Sequence, residues 1–136
     1  MKVVLDTNIL VSGLMTRGGN SALILDHVVD GNLTLCADDR ILREYQRVCL
    51  DPRLCLDPEA VNMLLSFVHD TAVRVVPHPL NARLPDPDDL PFIEVAITSK
   101  AALVTGNKKH FPAPCMGAVK VLSPAEFIAL LRVSKF

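Results

Sequence analysis

The segment Val3-Val4-Leu5, followed by Asp6-Thr7-Asn8 and then Ile9-Leu10-Val11, constrains this chain more than any other. A short apolar, β-branched run reads as a buried parallel strand, and the polar triplet ends it where a helix or turn begins. Open α/β sheets bind their ligands at that edge, outside the carboxyl ends of the strands. Ala102-Leu103-Val104-Thr105 repeats the design and stops at Gly106-Asn107, while Asp86, Asp88 and Asp89 sit just ahead of the helix that precedes it. Acidic and amide side chains from distant parts of the chain are therefore expected to meet at one sheet edge.

Turn and cap signals divide the rest into alternating units. Strands are predicted near 2–5, 33–36, 73–76, 102–105 and 119–122, and helices near 8–15, 21–30, 39–50, 58–69, 90–100 and 124–132. Gly31 stops the second helix, Asp38 or Asp39 caps the third, and Asp57-Pro58-Glu59 opens the fourth. Ser123-Pro124-Ala125-Glu126 has the spacing of a capping box. The stretch 77–91 is rich in Pro and Asp and is expected to be a loop that delivers Asp88 or Asp89 to a helix start as its cap. Alternating β and α units of this length imply an α/β fold with a mostly parallel sheet covered by helices on both faces.

At 136 residues the expectation is one domain, 1–136, that needs no disulfide staple. No apolar run reaches the roughly 20 residues that span a bilayer, and the start lacks a signal-peptide pattern, so no membrane association and a cytoplasmic location are expected. Cys36, Cys49, Cys55 and Cys115 show no zinc-ligand spacing and read as small, mostly buried hydrophobes. A net charge of −1 offers no global attraction to nucleic acid. Two basic groups remain: Arg40, Arg43, Arg47 and Arg53 on or near the third helix, and Lys108-Lys109-His110 after the strand end. Either can be an ordinary solvated face, but position favours a phosphate-facing role for the second.

On the third helix Ile41, Tyr45 and Val48 form an apolar arc that includes Glu44. Asp89 aligns with Ile93, Ala96 and Ile97 on one stripe of the fifth, with Glu94 turned toward solvent. Together with Asp6 these carboxylates would repel one another by about 4 kcal/mol per pair at 4 Å and an effective dielectric near 20. A hard divalent cation relieves this, and oxygen-rich clusters suit Mg²⁺ or Mn²⁺. Each carboxylate also has a plain structural explanation: Asp6 and Asp89 as helix caps, Glu44 as a partner of Arg40 or Arg47, and Asp86 and Asp88 as loop residues.

VVLDTNILVSGL, RILREYQRVCLDPR and DPDDLPFIEVAITSKAALVTGNKKHF resemble, in order, the motifs of the PIN-domain nucleases. The resemblance spans nearly the whole chain and is strongest to toxin components of toxin–antitoxin pairs. It implies a three-layer α/β/α sandwich and a metal-dependent ribonuclease. Asp6, Glu44 and Asp89 would be catalytic metal ligands, supported by Asn107 where family members often carry an acidic residue. The cofactor implied is Mg²⁺ or Mn²⁺. Asn8, Thr105, Lys108 and Lys109 would lie on the substrate side, and the partners implied are single-stranded RNA, a cognate antitoxin and a second copy in a homodimer. With no Trp and one Tyr there is little aromatic surface for stacking bases. Two rivals stand beside this reading. One is a phosphotransferase with Asp6 as nucleophile, which would want an acidic residue where Asn8 stands; the other is a non-catalytic RNA- or partner-binding module, favoured by Asn107.

Overall fold

The computed structural model describes residues 1–134. Five parallel strands form one sheet in the order β3-β2-β1-β4-β5: β1 (Lys2–Leu5), β2 (Thr34–Ala37), β3 (Val73–Arg74), β4 (Ala102–Val104) and β5 (Val121–Leu122). The helices α1 (Thr7–Met15), α2 (Asn20–Val29), α3 (Asp39–Cys49), α4 (Pro58–Thr71), α5 (Leu90–Ser99), α6 (Ala113–Met116) and α7 (Pro124–Ser134) complete a three-layer α/β/α sandwich. No helix among the described residues is long and apolar enough to cross a membrane.

The strand order explains where a site can form. The chain adds β2 and β3 on one side of β1, then crosses to add β4 and β5 on the other, so the connections diverge between β1 and β4 and leave a crevice at their carboxyl ends. Val3, Val4, Leu5, Leu103 and Val104 are fully buried, as the continuous apolar runs of a doubly covered sheet require. Register brings Leu5 opposite Val104. The next residue on each strand, Asp6 and Thr105, therefore emerges at the crevice.

Local signals fix several helix ends. Asp38 accepts from the Ile41 N–H at 3.0 Å and Asp57 from the Glu59 N–H at 3.1 Å. The capping box is reciprocal, with the Ser123 N–H donating to Glu126 at 2.8 Å and the Glu126 N–H to the Ser123 hydroxyl at 3.1 Å. Gly31 takes a left-handed φ of 83° after α2. The strands at 73 and 121 are shorter than predicted, and α6 breaks what reads in sequence as loop.

Helix α5 departs from its predicted face. Glu94 is not turned to solvent but is 4% exposed, while Ile97, expected inside, is 38% exposed. Glu94 accepts the Leu80 N–H at 2.6 Å and pairs with Arg40 at 2.9 Å, and Arg40 also reaches Asp38 at 2.6 Å. A buried carboxylate is tolerated when it is both paired and hydrogen-bonded. This one ties the 77–86 segment, α5 and the start of α3 together. The cysteines are all free: Cys36 and Cys49 are buried, Cys115 is half-buried, and Cys55 is exposed, against the expectation of burial.

Candidate active site

At the crevice the Asp6 N–H donates to the Val104 carbonyl at 2.9 Å, continuing the β1–β4 ladder one residue past the strands. That fixes Asp6 beside Thr105, whose hydroxyl donates to Asp6 Oδ2 at 2.7 Å and accepts the Asn107 N–H at 3.0 Å. Thr105 is fully buried. It orients the Asp6 carboxylate from inside the crevice, below the surface that a substrate would reach. Asn8 is exposed at the rim and accepts the Gly106 N–H at 3.3 Å, a second clasp between the two strand ends.

Aspartates cap helices and turns throughout this chain. Asp38, Asp51, Asp57 and Asp86 each accept a backbone N–H two or three residues on. Asp6 stands at the equivalent position of α1 and makes no capping bond, while Asp89 ends the 3₁₀ turn, itself capped by Asp86, that runs straight into α5. A side-chain cap is worth about 0.5–2 kcal/mol, so the buried Asp6 has forgone it, and Asp89 is not needed as one. Neither is explained as a cap.

Asp89 instead turns toward His110. Its Oδ2 lies 2.9 Å from His110 Nδ1, and His110 Nε2 lies 2.9 Å from the Asn107 side-chain nitrogen. Asp86, on the 3₁₀ turn that leads into α5, completes the group: one donor atom from each of Asp86, Asp89 and His110 lies within 4.8 Å of the others. Burial, then the neighbouring Asp6 and Asp86 charges, push the Asp89 carboxyl up to about 6 despite His110 beside it. Burial likewise raises Asp6, offset in part by the Thr105 hydroxyl and reinforced by Asp86. The three aspartates thus share one field of negative charge that His110 and the Thr105 hydroxyl offset only in part. The donors of Asp86, Asp89 and His110 suit a divalent cation, since ligands facing each other across one at 2.1–2.4 Å stand about 4.2–4.8 Å apart; Asp6 lies outside that tight group.

Glu44 reaches the same edge by another route. Its neighbour Tyr45 is fully buried, donates its hydroxyl to the Leu5 carbonyl at 2.5 Å, and packs its ring on Phe92 of α5 at a centroid distance of 6.5 Å. With α3 pinned to β1 and α5, Glu44 accepts a short hydrogen bond from the Thr7 hydroxyl and faces Arg47 at 3.8 Å. It lies outside the tight donor group. Beside it runs a cleft lined by Arg40, Arg43, Arg47, Pro87 and Asp88. Across the site, Lys109 is exposed, whereas Lys108 pairs with Glu126 at 3.0 Å.

The structure brings Asp6, Asp89 and Asn107 to the same edge, with Asn107 engaged through its amide to His110. Two members were missed. Asp86 reads in sequence as one more loop acid among three, and His110 reads as part of a basic run. A signal for His110 existed, because Asn107 and His110 are three apart across a single 3₁₀ turn, where side chains i and i+3 eclipse.

The PIN-domain family model matches residues 2–109. An uncharacterized protein of Methanocaldococcus jannaschii is similar, 32% identical over 111 residues that cover 79% of this chain and 72% of that protein. The chain belongs to the PIN-domain family, whose members are generally metal-dependent nucleases.

Proposed function

We propose that this protein is a metal-dependent endoribonuclease that hydrolyses phosphodiester bonds of single-stranded RNA, and that it is the toxin of a toxin–antitoxin pair. The observation that carries the nuclease reading is the pair Asp6 and Asp89, buried at helix starts yet withheld from capping and gathered with Asp86 into one negative field. Mg²⁺ or Mn²⁺, when bound, supplies activation of a water molecule and charge neutralisation at the scissile phosphate. Asp89 and Asp86 would hold the cation, with Asp6 beside them at the strand end. Thr105 keeps Asp6 in one orientation, and Thr7 does the same for Glu44, which adds a further negative charge at the edge.

Substrate positioning falls to exposed groups on either side of the acidic edge. Asn8 and Lys109 stand at one rim; Arg43 and Arg47 line the cleft at the other. Such contacts track a backbone without reading its sequence. The RNA and toxin assignments are supported by the motif resemblance, as are a homodimer and an antitoxin segment covering the acidic edge. A cytoplasmic site of action belongs to the same reading.

The test is cleavage of single-stranded RNA, single-stranded DNA and duplex RNA by the purified protein with Mg²⁺, Mn²⁺ or EDTA. Metal-dependent RNA cleavage that Asp6→Asn abolishes, with the fold intact, supports the reading. Cleavage that persists in EDTA sinks it. Asn107, uncharged where relatives often carry an acid, favours a second reading as a binding module. Retention of RNA without cleavage in any metal would decide for that alternative.

A further inference from the structure

We propose that His110 supplies a nitrogen ligand to this metal site, making it a mixed carboxylate–imidazole centre that selects Mn²⁺ over Mg²⁺. This rests on the metal-dependent reading above. His110 Nδ1 stands 2.9 Å from Asp89 Oδ2, and neighbouring ligands on a cation bound at about 2.1 Å are separated by about 3.0 Å. The imidazole nitrogen is thus already at the spacing of a ligand adjacent to Asp89, and Asp86 offers an oxygen within the same 4.8 Å group.

The ring is held for that role. Asn107 is fixed by its backbone N–H to Thr105, which in turn holds Asp6, and its side chain engages His110 Nε2. Nε2 is therefore held by the amide, and Nδ1, hydrogen-bonded to Asp89, is the nitrogen that faces the carboxylates. An amide suits either protonation pattern of the ring. It donates N–H to a bare Nε2, or, turned over, accepts from Nε2–H once Nδ1 has given up its proton to bind metal. The uncharged residue at 107 thereby steers an imidazole instead of adding a fourth carboxylate. An imidazole donor raises affinity along the series from Mn²⁺ to Ni²⁺, whereas Mg²⁺ prefers oxygen and gives up water reluctantly.

The full chain, stripped with EDTA and loaded with one equivalent of Mn²⁺, would be studied by pulsed electron paramagnetic resonance, which detects ¹⁴N bonded to the ion, and by calorimetric titration with Mn²⁺ and Mg²⁺. The expected result is ¹⁴N coupling in the parent that disappears in His110→Asn. Mn²⁺ affinity should fall about tenfold or more in that variant, with Mg²⁺ affinity changing far less. His110→Asp, restoring an all-oxygen site, should move the preference back toward Mg²⁺; circular dichroism checks the fold of both variants. Bound Mn²⁺ without ¹⁴N coupling, or coupling that survives His110→Asn, overturns the inference and leaves the metal reading standing. Failure of the parent to bind Mn²⁺ at all overturns both.

Discussion

Asp89→Asn should stabilise the metal-free protein while abolishing its metal-dependent activity. The asparagine carbonyl can still accept from His110 Nδ1, so the exchange removes a charge and little packing. Folding raises the Asp89 pKa from 3.8 to about 6, chiefly through burial and the neighbouring Asp6 and Asp86 charges. Two units correspond to about 3 kcal/mol, and a gain of about 1–3 kcal/mol is expected once neighbouring side chains relax. The sign depends on pH. Because the native state holds this proton more tightly than the unfolded chain, the carboxylate's cost is fully present above about pH 6, shrinks to about 1 kcal/mol near pH 4.5, and vanishes below about 3.8. Saturating Mn²⁺ should reverse the ranking, since only the parent gains binding energy on folding. Urea denaturation in EDTA at pH 7.5 and 4.5, then with Mn²⁺, measures all three. A variant no more stable than the parent at pH 7.5 in EDTA, or one whose gain is the same at both pH values, would refute the argument.

Tyr45→Phe deletes the hydroxyl that joins α3 to the end of β1 and should cost about 1–2 kcal/mol in a denaturant melt, with a larger loss of activity than of stability if Glu44 shifts with it. Glu94→Gln keeps an acceptor for the Leu80 N–H and should cost about 1 kcal/mol, whereas Glu94→Ala strands that N–H and should cost about 2–4 kcal/mol. Amide exchange at Leu80 should rise in the alanine variant alone. Gly13→Ala places a methyl against the Leu25 side chain between α1 and α2 and should lower stability by about 1–3 kcal/mol, a cost that Leu25→Val in the same chain should partly recover.

Local chemistry made much of the fold legible. A β-branched run, an Asp-Pro helix start, a glycine stop and a reciprocal Ser–Glu cap each act within a few residues, so each can be read where it stands. Glu94 could not be read this way, because its partners Arg40 and Leu80 lie 54 and 14 positions away and no neighbour announces them. Periodicity was no help on α5, where five consecutive residues from Phe92 to Ala96 are buried and no polar face sets the phase. At the site, Asp6 and Asp89 stood out because each follows or opens a clear element. Asp86 and His110 did not, since loop acids and basic runs are ordinary on surfaces. The contrast between aspartates that cap and those that do not is visible only once the backbone N–H groups have been accounted for.

The bond from Thr105 to Asp6 joins residues 99 apart in sequence, and its consequence concerns timing. During synthesis the amino-terminal part of a chain emerges first. A nascent chain that has passed Glu44 but not Asp86 carries two of the proposed carboxylates, and until residue 105 arrives it lacks the strand end that orients Asp6 and the segment bearing His110. Its acidic edge has no far wall. On the proposed reading, the nuclease stays inactive while its own message is still being read, and becomes competent only as the last quarter of the chain arrives.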